Sequence, residues 1–286
     1  MNIIVGATGQ IGSHLINDMK KYDVPIRAIV RNPERLQDKS IEFRKADLFD
    51  TDELRNAFEG GTTVFLLTPE NQYSNDIIGD TERIVENYRK AIEQAGIETI
   101  IGLSSIGAHI DGDTGNIRMS RILEKGFDGL KARKIFVRPS YYFSNWLGYL
   151  NTIEQYGLLP TFFPEDLNIE MNSPMDVAKF IAKMMVEKDG FSKRDIYELS
   201  GPQRYSSSDV ARIFSRVVHK PVIPEVITQD KWQETLLSAG FSENTAANLV
   251  DMTRAVIENT AIPERPDDII RLPTTLEDYL VREKTT

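Results

Sequence analysis

Short apolar runs alternate with amphipathic stretches through the first half of the chain. Residues 3–5, 26–30, 41–44, 63–67, 99–103 and 135–137 are β-branched or otherwise apolar. Most carry apolar side chains at successive positions, the mark of parallel strands buried on both faces. Between them lie helical patterns at 11–21, 51–58 and 80–95. In the last, Ile84, Val85, Tyr88, Ala91, Ile92 and Ala95 share one face at helical spacing. Alternation of this kind predicts an α/β fold, a Rossmann-type doubly wound parallel sheet.

After Pro139 the pattern changes. Residues 141–156 read as an aromatic-rich helix, or a loop leading into one. Residues 174–187 are helical, with Val177, Phe180, Ile181, Met184 and Met185 facing inward. A short strand at 196–199 stops at Gly201-Pro202. Ser206-Ser-Ser208-Asp209 then opens a helix with Ser or Asp as its cap. Helices are expected at 229–239 and 243–258, a Pro- and Asp-rich loop at 263–271, and a last short helix at 275–282. Residues 1–140 are therefore expected to form the nucleotide-binding core. Residues 141–286 are expected as a smaller, mainly helical C-terminal lobe for substrate or partner, with some segments returning to the sheet. There is no internal repeat and no low-complexity tract.

Composition narrows the function classes. The chain has 286 residues, 41% hydrophobic and 27% charged, an ordinary globular balance. A net charge of -9 argues against a nucleic-acid-binding surface, which needs a basic face. With no cysteine there is no disulfide, thiolate metal site or cysteine nucleophile. His14, His109 and His219 are the only histidines and lie far apart, so no metal centre is expected. No signal-peptide pattern precedes the first strand and no apolar stretch reaches membrane-spanning length, so a cytoplasmic protein with no membrane partner is expected.

The strongest chemical signal is the run strand, Gly6-Ala-Thr8-Gly9-Gln10-Ile11-Gly12, helix. Gly6 suits the sharp turn out of the strand, Gly9 lets backbone approach a pyrophosphate, and Gly12 permits close packing of helix on sheet. The first helical amides then face the phosphates, aided by the helix dipole, and Thr8 and Gln10 can add polar contacts. Which dinucleotide binds is decided at the end of the second strand. An acid there would take the 2'-hydroxyl of NAD(H); this chain has Val30-Arg31-Asn32-Pro33. Arg31 fits a 2'-phosphate, which favours NADP(H) over NAD(H); its other reading is a solvated loop charge. Asp47-Leu48 falls where an adenine edge could be held, and Thr68-Pro69 closes the fourth strand beside the nicotinamide ribose; each could also be plain loop.

These motifs resemble the NmrA-like branch of the atypical short-chain dehydrogenase/reductases. The resemblance is carried by Gly6-Ala-Thr-Gly9-x-x-Gly12, Val30-Arg31-Asn-Pro33, Asp47-Leu48 and Phe65-Leu-Leu-Thr68-Pro69. It continues through Thr114-Gly115-Asn-Ile117 with Glu124, Arg138-Pro139 with Tyr142 and Asn145, Leu199-Ser-Gly201-Pro202 and Pro273-Thr-Thr-Leu276. It implies cofactor contacts from Thr8, Gly9, Gln10, Ile11, Arg31, Thr68 and the stretch Ser104-Ser105-Ile106. The family holds NADPH-dependent quinone and azo-type reductases, and also sensors that bind NADP(H) without turnover.

Short-chain dehydrogenases use Tyr-x-x-x-Lys, the Tyr protonating a carbonyl oxygen and the Lys lowering its pKa. No such pair follows the fifth strand here. The equivalent helix should run through Asn116-Ile-Arg118-Met-Ser120-Arg121-Ile-Leu-Glu124, with Arg121 where many relatives place a His. Ser105, Arg121 and Tyr142 remain as catalytic candidates, and Ser104 shares the serine position with Ser105. A quinone accepts hydride readily and its oxygen can take a proton from solvent, so stacking and orientation could suffice. Tyr141, Tyr142, Phe143, Trp146 and Tyr149 could line such a pocket and Phe162 and Phe163 close it; aromatic clusters of this spacing are also common in cores. His109 is a proton-donor candidate or a surface-loop residue. The reading that follows is an NADPH-dependent reductase of a small quinone-like or conjugated acceptor. A non-catalytic NADP(H) sensor acting through a protein partner is the alternative, and a sugar-nucleotide epimerase or dehydratase ranks last.

Overall fold

The computed structural model describes residues 1–36, 38, 40–187 and 196–285. Its first half runs β1 (Asn2–Val5), α1 (Gln10–Met19), β2 (Ile26–Val30), β3 (Glu42–Lys45), α2 (Thr51–Phe58) and β4 (Thr63–Leu66). Then come α3 (Ile77–Ala95), β5 (Thr99–Leu103), α4 (Ile117–Lys125) and β6 (Arg133–Pro139). The second half opens with β7 (Tyr141–Tyr142), a 3-10 turn at Phe143–Tyr149, α5 (Leu150–Tyr156), β8 (Leu158–Thr161), β9 (Ile169–Asn172) and α6 (Pro174–Val186). It continues through β10 (Ile196–Ser200), β11 (Arg204–Tyr205), α7 (Ser207–Val218), β12 (Ile223–Val226) and α8 (Trp232–Ser238). It ends with α9 (Glu243–Ile257), β13 (Ile270–Arg271) and α10 (Leu276–Thr285).

Eight strands form one sheet in the order β13-β10-β6-β5-β4-β1-β2-β3, and every neighbouring pair is parallel. The chain therefore winds outward in both directions from β1, and the order reverses between β1 and β4. In open sheets of this kind the ligand crevice lies at that switch point, beyond the carboxyl ends of the strands. Because helices cover both faces, the central strands carry apolar side chains on both. Ile4, Leu15, Ile16, Phe65, Val177 and Ile181 belong to the core under α1 and α6. Ile3, Leu54, Phe58, Ile84, Tyr88 and Leu123 belong to the core under α2, α3 and α4. The edge strand β3 is the exception, with all four residues exposed; its backbone pairing to β2 and an ion pair of Glu42 with the buried Arg27 of β2 at 2.7 Å hold it.

The second half returns β10 and β13 to this sheet and packs α6 against α1. β13 falls in the stretch expected to be loop. Two residues at a sheet edge, one of them exposed, are too few for a periodic signal. Of the two forms expected for 141–156, the structure takes the lead-in followed by a helix: a two-residue strand and a 3-10 turn run into the short α5. The rest carries its own core around Phe143, Trp146, Ile153, Met171, Phe214 and Tyr279. Beside its helices are two small sheets, β11-β9-β7 and β12-β8. The helix expected at Ser206 starts there: the Ser206 hydroxyl accepts from the Asp209 amide at 3.1 Å and the Asp209 carboxylate accepts from the Ser206 amide at 3.1 Å, a reciprocal capping box. No described helix is long and apolar enough to cross a membrane.

Candidate functional site

The glycine loop closes β1 onto α1 at the switch point. Gly6 has φ 69, in the left-handed region, where a side chain is disfavoured. Its carbonyl accepts from the Gly9 amide at 2.9 Å, which makes the turn. A Cβ on Gly12 would collide with that same carbonyl, so only glycine lets α1 lie this close to β1. The first helical bond runs from the Ser13 amide to the Gly9 carbonyl at 2.9 Å. The amides of Gln10, Ile11 and Gly12 therefore precede the helical ladder. Gly9 is the helix cap with no side-chain bond, and the first turn holds no acid. Thr8, Gly9 and Gln10 are exposed. This cradle fits a pyrophosphate: open amides, a positive helix end and no competing carboxylate.

Arg31 follows β2 and is exposed, and among the described residues it enters no ion pair. Asp47 is exposed and accepts from the Phe49 amide at 3.0 Å, so its carboxylate shapes its own turn. Thr68 is half-buried. The preceding Leu67 leans over Gly6, 2.9 Å from where a Cβ there would stand. The buried Tyr88 hydroxyl donates to the Leu67 carbonyl at 3.0 Å. The end of β4 is thereby fixed beside the glycine loop.

At the end of β5 the two serines differ. Ser104 is buried and donates its hydroxyl to Glu124 at 2.5 Å. Ser105 is half-buried and donates to the Ile106 carbonyl at 3.0 Å. Arg121 is held by the loop before α4, donating to the His109 carbonyl at 2.8 Å and pairing with Asp111 at 3.1 Å. It braces the 107–113 loop. Tyr142 packs against the core under α1, as Leu67 and Leu103 do. Its hydroxyl is buried without a partner and burial pushes its pKa up. Across the crevice the Ser144 hydroxyl donates to Gln10 Oε1 at 3.1 Å, which joins the aromatic segment to the glycine loop. Phe143 and Trp146, at 0% and 1% exposure, are core of the second half; Tyr141 and Tyr149 are half-buried and pack on that core, and Tyr142 is half-buried against the core under α1.

Sequence reasoning missed two clusters. One is a buried ion network. Arg138 on β6 donates to both Glu124 oxygens at 2.7 Å and to Glu264 at 2.6 Å. Glu198 on β10 lies 3.6 Å away and accepts from the Glu264 and Arg265 amides at 2.9 Å. Burial works against the Arg138 charge, but Glu124 and Glu264 outweigh it and hold the guanidinium protonated. A signal existed: Arg138 and Glu198 each interrupt an apolar strand, and they are register partners.

The other cluster lies beyond β4 and β5. Thr114 and Asn116 are 3% and 4% exposed, and neither Thr114 Oγ1 nor either amide atom of Asn116 has a hydrogen-bond partner. Buried polar groups of this kind are rare. Glu70, two residues after Thr68, faces Asn116. Loss of hydration pushes its carboxyl above the ordinary carboxylate range, and the Asn116 amide offsets part of that rise without closing a bond of normal geometry. The N-terminal end of α9 clamps this loop: the Ser242 amide donates to the Gln72 carbonyl at 2.8 Å, and the Ile77 amide donates to Asn244 at 2.9 Å.

Residues 6–134 match the NAD(P)H-binding family model. Among curated proteins, the chain is 24% identical over 252 residues to NAD(P)H azoreductase of Xenophilus azovorans, covering 86% of this chain and 84% of that protein. It is 26% identical over 258 residues to quinone oxidoreductase 2 of Escherichia coli (strain K12), covering 88% and 86%. Among solved structures, it resembles the Escherichia coli NADPH-dependent quinone oxidoreductase in complex with NADPH, with a TM-score of 0.80 at 22% identity over 99% and 100% of the two chains. For the Citrobacter sp. triphenylmethane reductase in complex with NADP(H) the TM-score is 0.81 at 22% identity, over 99% of each chain. For NmrA, a negative transcriptional regulator in complex with NADP, it is 0.71 at 18% identity, over 98% and 90%.

Proposed function

We propose that the chain is an NmrA-like member of the NAD(P)H-binding family and an NADPH-dependent reductase of quinone-like or other conjugated acceptors, working in the cytoplasm. The observation that supports this reading is the pairing of an open phosphate cradle with an exposed Arg31 at the end of β2 that enters no ion pair among the described residues. Gly6, Thr8, Gly9, Gln10, Ile11 and Gly12 would hold the pyrophosphate. Arg31 would hold the 2'-phosphate and Asp47 the adenine edge. Thr68 and the Ser104 backbone would flank the nicotinamide end. When bound, the dinucleotide supplies a hydride. The chain's part is to orient the acceptor against half-buried aromatic surface from Tyr141, Tyr142 and Tyr149. The relatives support the acceptor class, since their names specify azo compounds, quinones and a triphenylmethane dye.

The test is a binding titration of NADPH against NADH followed by oxidation of the preferred form with a panel of quinones and azo dyes. Tighter NADPH binding and acceptor-dependent oxidation are expected. If NADPH binds but no acceptor exceeds the rate without protein, the sensor reading takes over. The missing Tyr-x-x-x-Lys and the fold shared with the regulator NmrA favour that second reading.

A further inference from the structure

Building on the reductase reading, we infer that Glu70 and Asn116 form the polar end of the acceptor pocket, where Glu70 gives the proton that accompanies hydride transfer and Asn116 positions it. A dinucleotide with its pyrophosphate at the start of α1 and its adenosine toward Arg31 on β2 must extend its other end across the switch point, over β4 and β5. Glu70 follows β4, and Asn116 stands immediately before α4, after the loop that leaves β5. Both therefore lie beside the reacting end. As a residue Glu70 keeps an exposed side that an acceptor can reach, while the protein packed around its carboxyl strips part of that group's hydration. Asn116 is buried with both ends of its amide free, so it can hold a carboxyl or an acceptor oxygen. Its loop is pinned at Gly115 against Asn248 of α9, and the Glu70 loop is pinned by Ser242 of the same segment. The two groups are thus held in a fixed relation from outside the sheet. That loss of hydration raises the Glu70 carboxyl above its ordinary value and so favours its protonated form.

The step balances. The O–H bond of Glu70 breaks and its proton joins one quinone oxygen, while the hydride joins the other. The quinone gains two electrons and becomes a hydroquinone, the nicotinamide is oxidised by two electrons, and the Glu70 carboxylate regains its proton from water. An acceptor that needs no proton separates this role from mere pocket shape. A cationic triarylmethane dye takes hydride at its central carbon and becomes neutral, with no proton transferred.

The experiment compares a simple quinone with such a dye for the wild-type chain, Glu70→Gln and Asn116→Ala, with NADPH titration as the check of folding. Glu70→Gln is expected to lower kcat for the quinone about a hundredfold while leaving kcat for the dye within about twofold. Infrared spectra of the cofactor-free chain should show a protonated-carboxyl band that is absent from Glu70→Gln and persists above the ordinary carboxylate range. Asn116→Ala should move the titration of that band to higher pH, because the amide favours the ionised form. Equal loss on both acceptors, or a band that titrates as an ordinary carboxylate, overturns the inference and leaves the reductase reading standing. A wild-type chain that binds NADPH and reduces neither acceptor overturns both.

Discussion

Replacing Glu124 with Leu removes one arm of the buried ion network and leaves the rest in place. Side-chain exposure is 2% for Arg138, 10% for Glu124 and 5% for Glu198, while Glu264 is 38% exposed. Glu124 alone accepts two bonds from Arg138 and one from Ser104. Its loss strands a buried guanidinium with one direct partner and a second carboxylate 3.6 Å away, and leaves the Ser104 hydroxyl without its acceptor. Breaking a buried pair from one side costs about 3–5 kcal/mol. With an unfolding entropy of about 2.1 cal/mol/K per residue, that corresponds to a fall in Tm of about 5–8 °C for a chain this long. Glu124→Gln keeps the shape and part of the bonding, so about half that loss is expected. Glu264→Ala, on the exposed arm, should cost about 1 kcal/mol or less. Thermal and denaturant unfolding of the three variants measure this order directly. A Glu124→Leu loss below about 1 kcal/mol, or a larger loss for Glu264→Ala, would refute the claim that the network is dry and organised around Glu124.

Three further outcomes are expected. Arg31→Ala should weaken NADPH by about ten- to a hundredfold, the worth of a charge-assisted phosphate contact, with little change for NADH; equal losses in paired titrations would remove the 2'-phosphate assignment. Gly12→Ala forces α1 away from the Gly6 carbonyl, so it should cost about 1–3 kcal/mol of stability and weaken both dinucleotides together; unchanged binding at unchanged Tm would mean the close approach is not needed. Glu170 is paired with Arg271 and accepts from Ser200 at 2.6 Å. Burial works against its charge, but those partners outweigh it and hold its carboxyl below the ordinary 4.5. The stability it adds is therefore full above that ordinary value and is lost as pH falls through the folded one. Tm measured from pH 6 to 3 should fall less steeply in Arg271→Met than in the wild type, and parallel curves would count against the pair.

The nucleotide-binding half was legible because its signals are local and repeated. Strands buried on both faces read as unbroken apolar runs, and a glycine required by contact with Gly6 appears at a fixed spacing from it. The strands 26–30 and 99–103 and the helix 51–58 lie where the apolar pattern places them. The second half was less legible because its structure is made by pairing between distant segments. β13 has two residues and becomes a strand only because β10 offers a free edge. Phe143 and Trp146 look the same in sequence as Tyr141 and Tyr149. Only packing against Met171, Tyr205 and Tyr279 makes the first two core. Glu70 and Asn116 lie 46 positions apart in sequence, and no periodicity links them.

The same geometry explains why this chain can do without the Tyr-x-x-x-Lys pair. The serine at the end of β5 would need to donate its proton to a substrate carbonyl, yet the Ser104 hydroxyl is committed to Glu124 at 2.5 Å. On α4, Glu124 is committed to Arg138 and Arg121 to the 107–113 loop. The positions that would polarise a carbonyl are thus spent on holding α4, β6 and β10 together. The barrier must then be lowered by the acceptor's own appetite for hydride, with proton supply from Glu70 rather than from the β5 serine. Quinones, azo compounds and triarylmethane cations meet that condition, because the added charge spreads over a conjugated frame. A saturated ketone does not, since it has no conjugated frame over which the added charge can spread and is a far poorer hydride acceptor even with Glu70 as its proton source. Saturated ketones should therefore turn over far more slowly than quinones at equal concentration. Comparable rates would mean that Ser104 leaves Glu124 during catalysis, which a normal rate in Ser104→Ala would in turn exclude.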